Sequence, residues 1–502
     1  MSLAIIYSRG RSGIDAPLVT VETHISNGLP SLSIVGLPET AVKESKDRVR
    51  SAIINSHFDF PAQRITINLA PADLPKDGGR FDLAIALGIL AASGQIPRKD
   101  LEHYECVGEL SLGGELRSIA GILPIAIQSR NSLRKLILPY ANTEEGALIK
   151  EIELIPAKHL LEICAHLNGQ HIIPTQHHVK QAIEAYSDHD LSDVHGQYHV
   201  KRALEIAAAG AHNLLMLGPP GTGKSMIASR LSTILPLLTE QQAQETAALA
   251  SISNQGVNVK TWLIPPFRAP HHTASAAALV GGGSNPRPGE ISLAHNGTLF
   301  LDELPEFDRK VLEVLREPLE TGQITISRAN NQANFPARFQ LIAAMNPCPC
   351  GYLGDASGRC HCTSEQINRY RAKISGPLLD RIDIHLDVPR VPHEILRKGS
   401  PDGEESSLTI RARVIAARNI AFTRSGKANS ALTTKEVNVH CVLTDASHKI
   451  LEQAMDKFGL SNRAYHRILK LARTIADLAH SPDIQISHLS EAISYRKLDR
   501  SH

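Results

Sequence analysis

Between Leu18 and about Leu167 the chain alternates short apolar runs of strand length, LVTVETHI, LSIVGL, RITINLA and LILP, with stretches of helical period such as AVKESKDRVRSAIINS and DLAIALGILAAS. Period-two and period-3.6 segments taking turns in this way predict a compact α/β or α+β domain. The polar, histidine-rich NGQHIIPTQHHVKQ that follows reads as a linker, so a boundary is expected near residues 168–190. A second unit opens at Leu191. Its apolar runs NLLMLG, GTLFLDE and FQLIAAMN are separated by helical segments, the pattern of a parallel sheet covered on both faces. The turn-rich RKGSPDGEESS closes it, and TIRARVIAARNIAFTR and NRAYHRILKLARTIADLA then predict a small all-α domain. The divisions this implies are 1–170, a linker at 171–190, 191–390 and 391–502.

Length and charge narrow the classes. At 502 residues the chain exceeds what one hydrophobic core supports. Lys and Arg number 53 against 51 Asp and Glu, so bulk charge provides no nucleic-acid footprint and any such binding needs a local patch. The opening MSLAIIYSRG is too short for a signal segment and no later apolar run could span a bilayer, which predicts a cytoplasmic protein without membrane contact.

The chemistry concentrates in the second unit. In NLLMLGPPGTGKSMIASRL a strand runs into Gly218-Pro219-Pro220-Gly221-Thr222-Gly223-Lys224-Ser225, and a helix carrying Met226 follows, the order of a phosphate-binding loop. The glycines let backbone N–H groups turn toward phosphate oxygens at a positive helix end. Lys224 would reach the β- and γ-phosphates of ATP, and the Ser225 hydroxyl would ligate Mg²⁺. GTLFLDELPEF ends a second strand in two acids: Asp302 would hold Mg²⁺ and Glu303 would polarise the attacking water. LIAAMNPC ends a third strand at Asn346, suited to orient that water.

Taken together these residues resemble the AAA+ ATPases, with Walker A at 218–225, Walker B at 299–303 and sensor 1 at Asn346. The resemblance implies an arginine finger at Arg381 in SGPLLDRID, reaching a neighbouring subunit's nucleotide in a ring; an intramolecular salt bridge is the alternative. It implies a sensor 2 contact from SNRAYHRILKLARTIADL, with Arg463 ahead of Arg467, and an adenine-side entry at DVHGQ, which includes Val194. The finer similarity, over nearly the whole chain, is to the magnesium-chelatase-like branch and its YifB/ComM family, carried by SIVGLPETAVKESKDRVRSAI, FRAPHHTASAAALVGGG, LREPLETGQITISR and AAMNPCPCGYLGD. That family implies an ATP-dependent homo-hexameric DNA helicase promoting branch migration during natural transformation and homologous recombination. A motor that remodels a protein partner, and a non-catalytic ATP-gated scaffold, are the competing readings; a scaffold would need neither Glu303 nor Arg381.

The same resemblance gives the first domain a Lon-protease-like (ribosomal S5 domain 2-like) fold. In PKDGGRFDL, however, Arg80 stands where a nucleophilic serine would be, and Leu123 falls at the place of its activating lysine, so a frame without peptidase chemistry is expected. In the second unit the family implies a helix-2 insert, FRAPHHTASAAALVGGGSNPRPGE, and a pre-sensor-1 hairpin, GQITISRANNQANFPARF. Arg268, His271, His272, Arg287 and Arg328 are their polar heads and candidate contacts to a DNA backbone, the alternative for each being a solvated loop. Finally, CPCGYLGDASGRCHC offers Cys348, Cys350, Cys360 and Cys362 as two C-x-C hooks within an insertion at 346–365. Four thiolates suit structural Zn²⁺, with free thiols or an iron–sulfur cluster as alternatives and His361 able to replace one sulfur.

Overall fold

The computed structural model describes residues 2–36, 40–72, 74, 76, 78–177, 189–253, 255–283, 286–327, 332–354, 358–392 and 403–496. The chain divides into two compact units: Met1–Ile183 with Glu240–Trp262, and Glu184–Thr239 with Leu263–His502.

The first unit is built on a seven-stranded mixed sheet. Its strands are β1 (Ser2–Arg9), β2 (Leu18–Ser26), β3 (Ser31–Val35), β4 (Arg64–Ala70), β5 (Tyr104–Cys106), β6 (Lys135–Pro139) and β7 (Leu154–Ala157), in the order β3-β4-β2-β1-β5-β6-β7. Strict alternation in β2 sends Val19, Val21, Thr23 and Ile25 inward. The helix Asp82–Ala92 is apolar all round and buried along its whole length against β1 and β2. Gly88 permits that approach, because a Cβ there would lie 2.4 Å from Thr23 Oγ1.

The segment 240–262, which the hydrophobic pattern assigns to the second unit, packs in the first. Ala247 and Ala248 of helix Glu240–Ile252 join a core with Leu123, Ile125 and Ala126 of helix Ile122–Asn131. Gly121 N donates to Ser251 O at 2.9 Å, and Lys150 pairs with Glu240 at 2.6 Å. Alanines let two helices approach closely, so the foreign helix completes a core that residues 1–183 leave open.

At the PKDGGR loop, Arg80 is buried in a short 3₁₀ turn and Leu123 is fully buried in that same core. Lys76 is also buried and donates to Pro71 O. Asp82 receives Arg48 Nε at 2.9 Å, yet burial pushes its carboxyl up to about 6 against the pull of that guanidinium.

The second unit carries a five-stranded, wholly parallel sheet. It comprises β8 (Leu214–Leu217), β9 (Phe267–Arg268), β10 (Thr298–Leu301), β11 (Gln340–Met345) and β12 (Ile384–Asp387), in the order β9-β10-β11-β8-β12. The three apolar runs read from the sequence are β8, β10 and β11, buried throughout. β9 lies at the edge, within the stretch read as a loop-like insert.

The tail is helical as its pattern implies. Ser406, Thr433, Thr444 and Ser461 side chains cap the helices Ser407–Ser425, Thr434–His440, Asp445–Phe458 and Asn462–Leu478. Its apolar faces do not form a core of their own. Leu204 and Ala207 of helix Tyr198–Gly210 share one cluster with Ile227, Val414, Ile468 and Ala472, so sheet and tail are continuous in packing across residue 391. Among the described residues no helix is long and apolar enough to cross a membrane.

Candidate nucleotide site and cysteine knuckle

The topology places three strand ends together. β11 lies between β8 and β10, so Asn346 follows its strand between the glycine-rich loop after β8 and the acids after β10. Ligands of parallel sheets bind at these carboxyl ends. Gly221 and Gly223 adopt left-handed φ values of 78° and 83°, which turn the loop into the helix Lys224–Ile234. Gly218 is required by contact, since a Cβ there would lie 2.3 Å from Val388 O.

Lys224 Nζ lies inside this loop. It donates to Gly218 O at 2.7 Å, Pro219 O at 3.0 Å and Asn346 Oδ1 at 3.2 Å. Burial lowers its pKa, while the charges of Asp302 and Glu303 act to raise it. Thr222 Oγ1 donates to Pro219 O at 3.0 Å and braces the turn. Ser225 Oγ and Asp302 Oδ2 are 2.5 Å apart. A hydroxyl and a carboxylate side by side are hard oxygen donors that fit Mg²⁺. Asp302 Oδ1 accepts from Glu303 N at 2.9 Å, and Glu303 itself has φ 52°, rare for a residue with a Cβ. Its carboxylate is half exposed and faces His272 Nδ1 at 3.3 Å, whose ring lies tilted against His271 with centroids 4.1 Å apart.

Beside the loop is a cavity of about 380 Å³ lined by Gln197, Tyr198, His199 and Pro389 to Pro392. Gln197 Nε2 ties it to the loop through Thr222 O at 3.4 Å and to Pro389 O at 3.1 Å. Val194, expected beside the base, has its side chain in the core and does not line this cavity, whose wall comes from residues a few positions later and from a segment nearly two hundred residues away. Tyr198 is exposed at this cavity.

The arginines sort differently. Arg381 is buried and pairs with Glu320 of its own chain, with Nη1 donating to Pro377 O at 2.5 Å. Within one chain this is the ion-pair alternative. Arg467 pairs with Asp383, whose Oδ2 also lies 3.1 Å from His212 Nδ1. Burial alone would raise the Asp383 pKa, but Arg467 and His212 hold it well below the usual carboxylate range. Arg463, one turn earlier, is exposed.

Of the candidate DNA contacts, Arg268 sits on β9 and makes a two-pronged pair with Glu290, both contacts 2.7 Å, so it is a braced strand residue and not a loop head. His271 is exposed, and Arg287 is exposed on a short antiparallel pair, Gly281–Gly282 with Arg287–Pro288. The predicted hairpin exists as Gln323–Ser327 against Gln332–Pro336; Arg328 lies outside the described residues.

Cys348, Cys350, Cys360 and Cys362 bring their sulfurs within 4.8 Å of one another and could hold a metal ion. His361 is exposed beside them.

A parallel sheet with a glycine-rich loop after β8, paired acids after β10 and an asparagine between them defines the class, a P-loop protein of AAA+ magnesium-chelatase-like architecture. Residues 190–396 match the family described as magnesium chelatase, subunit ChlI; residues 21–142 match subunit ChlI of Mg-chelatase, and residues 404–496 match its C-terminal part. The chain is 52% identical over 504 residues to competence protein ComM of Haemophilus influenzae, covering 100% of this chain and 98% of that protein. It is equally 52% identical over 504 residues to YifB of Escherichia coli, at the same coverage. A shorter similarity, 26% over 207 residues, joins 38% of the chain to 20% of DNA replication licensing factor Mcm2 of Drosophila melanogaster. The chain belongs to the magnesium-chelatase-related family that contains ComM and YifB.

Proposed function

We propose that this protein is an ATP-dependent, homo-hexameric DNA translocase of the cytoplasm that promotes branch migration in natural transformation and homologous recombination. The observation that carries the motor half is the convergence of Lys224, Ser225, Asp302, Glu303 and Asn346 at the carboxyl edge of one parallel sheet. In this reading Lys224 neutralises phosphate charge, Ser225 and Asp302 hold Mg²⁺, and Glu303 aligns water that Asn346 orients. Gln197, Tyr198 and His199 take the base, with Val194 shaping the wall behind them. Arg381 leaves Glu320 and completes a neighbour's pocket in the ring, and Arg463 contacts phosphate from the tail helix.

The DNA half is supported by similarity to a protein named for competence and, more distantly, to a DNA replication licensing factor. His271, His272 and Arg287 on the insert, with Arg328 from the sequence between the two hairpin strands, would follow the backbone without reading sequence. Zn²⁺ on the four cysteines gives the intervening loop its stability. The first unit serves assembly or DNA engagement in a Lon-like frame. A second reading, a motor that remodels a protein partner, is favoured by the chelatase-subunit matches.

A four-way-junction migration assay decides between them. Wild-type protein should move the junction with ATP, and DNA should stimulate hydrolysis. Glu303→Gln should still bind ATP but fail in both. Hydrolysis indifferent to DNA, with no junction movement, would leave only the protein-remodelling reading.

A further inference from the structure

The cysteine knuckle abuts the phosphate loop. Cys348 is fully buried two residues beyond Asn346. Its sulfur lies 3.3 Å from that of Cys350 and 3.8 Å from that of Cys360, and Cys350 and Cys360 are 3.6 Å apart. A tetrahedron of thiolates with zinc–sulfur bonds of about 2.3 Å has edges of about 3.8 Å, so the sulfurs are grouped as that ion requires. Soft donors in this number select zinc over the hard cations.

The first hook turns back through Gly351, at left-handed φ 84°, whose N–H donates to Cys348 O at 3.0 Å. A Cβ on Gly351 would lie 2.8 Å from Pro220 Cδ and 3.8 Å from Asn346 Cγ. The hook therefore rests directly on the phosphate loop and on the residue whose Oδ1 accepts from Lys224. On its other side the Tyr352 ring lies under Arg359 at 4.4 Å and Arg390 at 5.7 Å, and Arg390 lines the 380 Å³ cavity. Two flanks of the nucleotide site thus lean on one short segment whose shape four sulfurs define.

We propose that zinc in this knuckle is a positioning element of the nucleotide site: the loaded hooks hold Gly351 against Pro220 and keep Asn346 facing Lys224, so zinc and nucleotide bind with positive coupling. The inference rests on the nucleotide reading given above. Without the ion, the hooks have little buried apolar surface to keep that shape. Because coupling between sites is reciprocal, nucleotide must also tighten the metal.

The test uses the full chain, with zinc counted by elemental analysis and affinity measured with a fluorescent ATP analogue. One zinc per chain is expected. Stripping it with a membrane-permeant zinc chelator should weaken the analogue at least about fivefold, the lower end of ordinary coupling between sites, and zinc should restore it. ADP should slow zinc release to a colorimetric chelator by a similar factor. Gly351→Ala retains all four thiols and should keep its zinc while losing affinity, which separates positioning from global unfolding if stripped protein misfolds. Bound zinc whose removal leaves affinity unchanged, with Gly351→Ala equal to wild type, overturns the coupling and leaves the nucleotide reading intact. A chain that neither contains nor takes up zinc overturns the proposal outright. Zinc-loaded protein that binds no nucleotide overturns the earlier reading instead.

Discussion

Arg463 and Arg467 stand one turn apart on the helix Asn462–Leu478; the first is exposed and the second is paired with Asp383, so substitution can separate a proposed phosphate contact from a structural tie. Arg467 is a quarter exposed and Asp383 only 6% exposed, and their ion pair fastens the tail helix to the turn before β12. Replacing Arg467 by Ala leaves a buried carboxylate with His212 and the Asn213 N–H at 3.3 Å. Breaking a fully buried pair costs 3–5 kcal/mol; discounted for the exposure of Arg467, the loss should be about 2–3 kcal/mol. In a unit of this size that lowers the melting temperature by about 3–5 °C. Arg463→Ala removes an exposed side chain and should change stability by less than about 0.5 kcal/mol, while reducing ATP turnover at least about tenfold if it meets phosphate. Thermal melts beside ATPase rates on both variants measure this. An Arg467→Ala protein with an unshifted melt and crippled turnover would refute the assignment of Arg467 to a structural tie.

The other predictions test separate parts of the chain. Asp82 titrates near 6 when folded and near 3.9 unfolded, so the native state binds the extra proton between these values. Its contribution favours folding at low pH and is lost as pH rises through 6; the stability of wild type minus that of Asp82→Asn, from urea titrations, should fall by roughly 2 kcal/mol from pH 4 to pH 7. A pH-independent difference would contradict it. The fragment Met1–Ile183 should expose its unfinished core and bind a hydrophobic dye, and a peptide of residues 240–262 added in trans should suppress that binding and raise the melt; no response to peptide would show that the core closes unaided. Arg381→Ala and Lys224→Ala should each be inactive alone, yet mixtures should recover part of the ATPase activity, because one supplies the loop and the other the guanidinium. Absence of recovery at every ratio would confine Arg381 to its pair with Glu320.

Much of the second unit was legible because its signals are local. A phosphate loop must be contiguous, with glycines where the backbone turns and Lys-Ser at the helix start, and β8, β10 and β11 announce themselves as unbroken apolar runs. The helical tail was equally plain from its period and its Ser/Thr caps. That Arg268 sits on a strand and pairs with Glu290 could not be read from the sequence, because β9 is two residues long at a sheet edge, too short to show any period. The destination of helix Glu240–Ile252 was also hidden. An alanine-rich face shows that a helix packs, but not on which core.

From residue order alone came the elements, the family resemblance and the chemical inventory of the nucleotide loop, since each depends on neighbours along the chain. Folding in three dimensions chose the partners: Arg467 with Asp383, Arg381 with Glu320, His272 facing Glu303, and Gly351 on Pro220. Those choices join residues far apart in sequence, where what decides is which side chains share space and which charges must be neutralised once water is excluded.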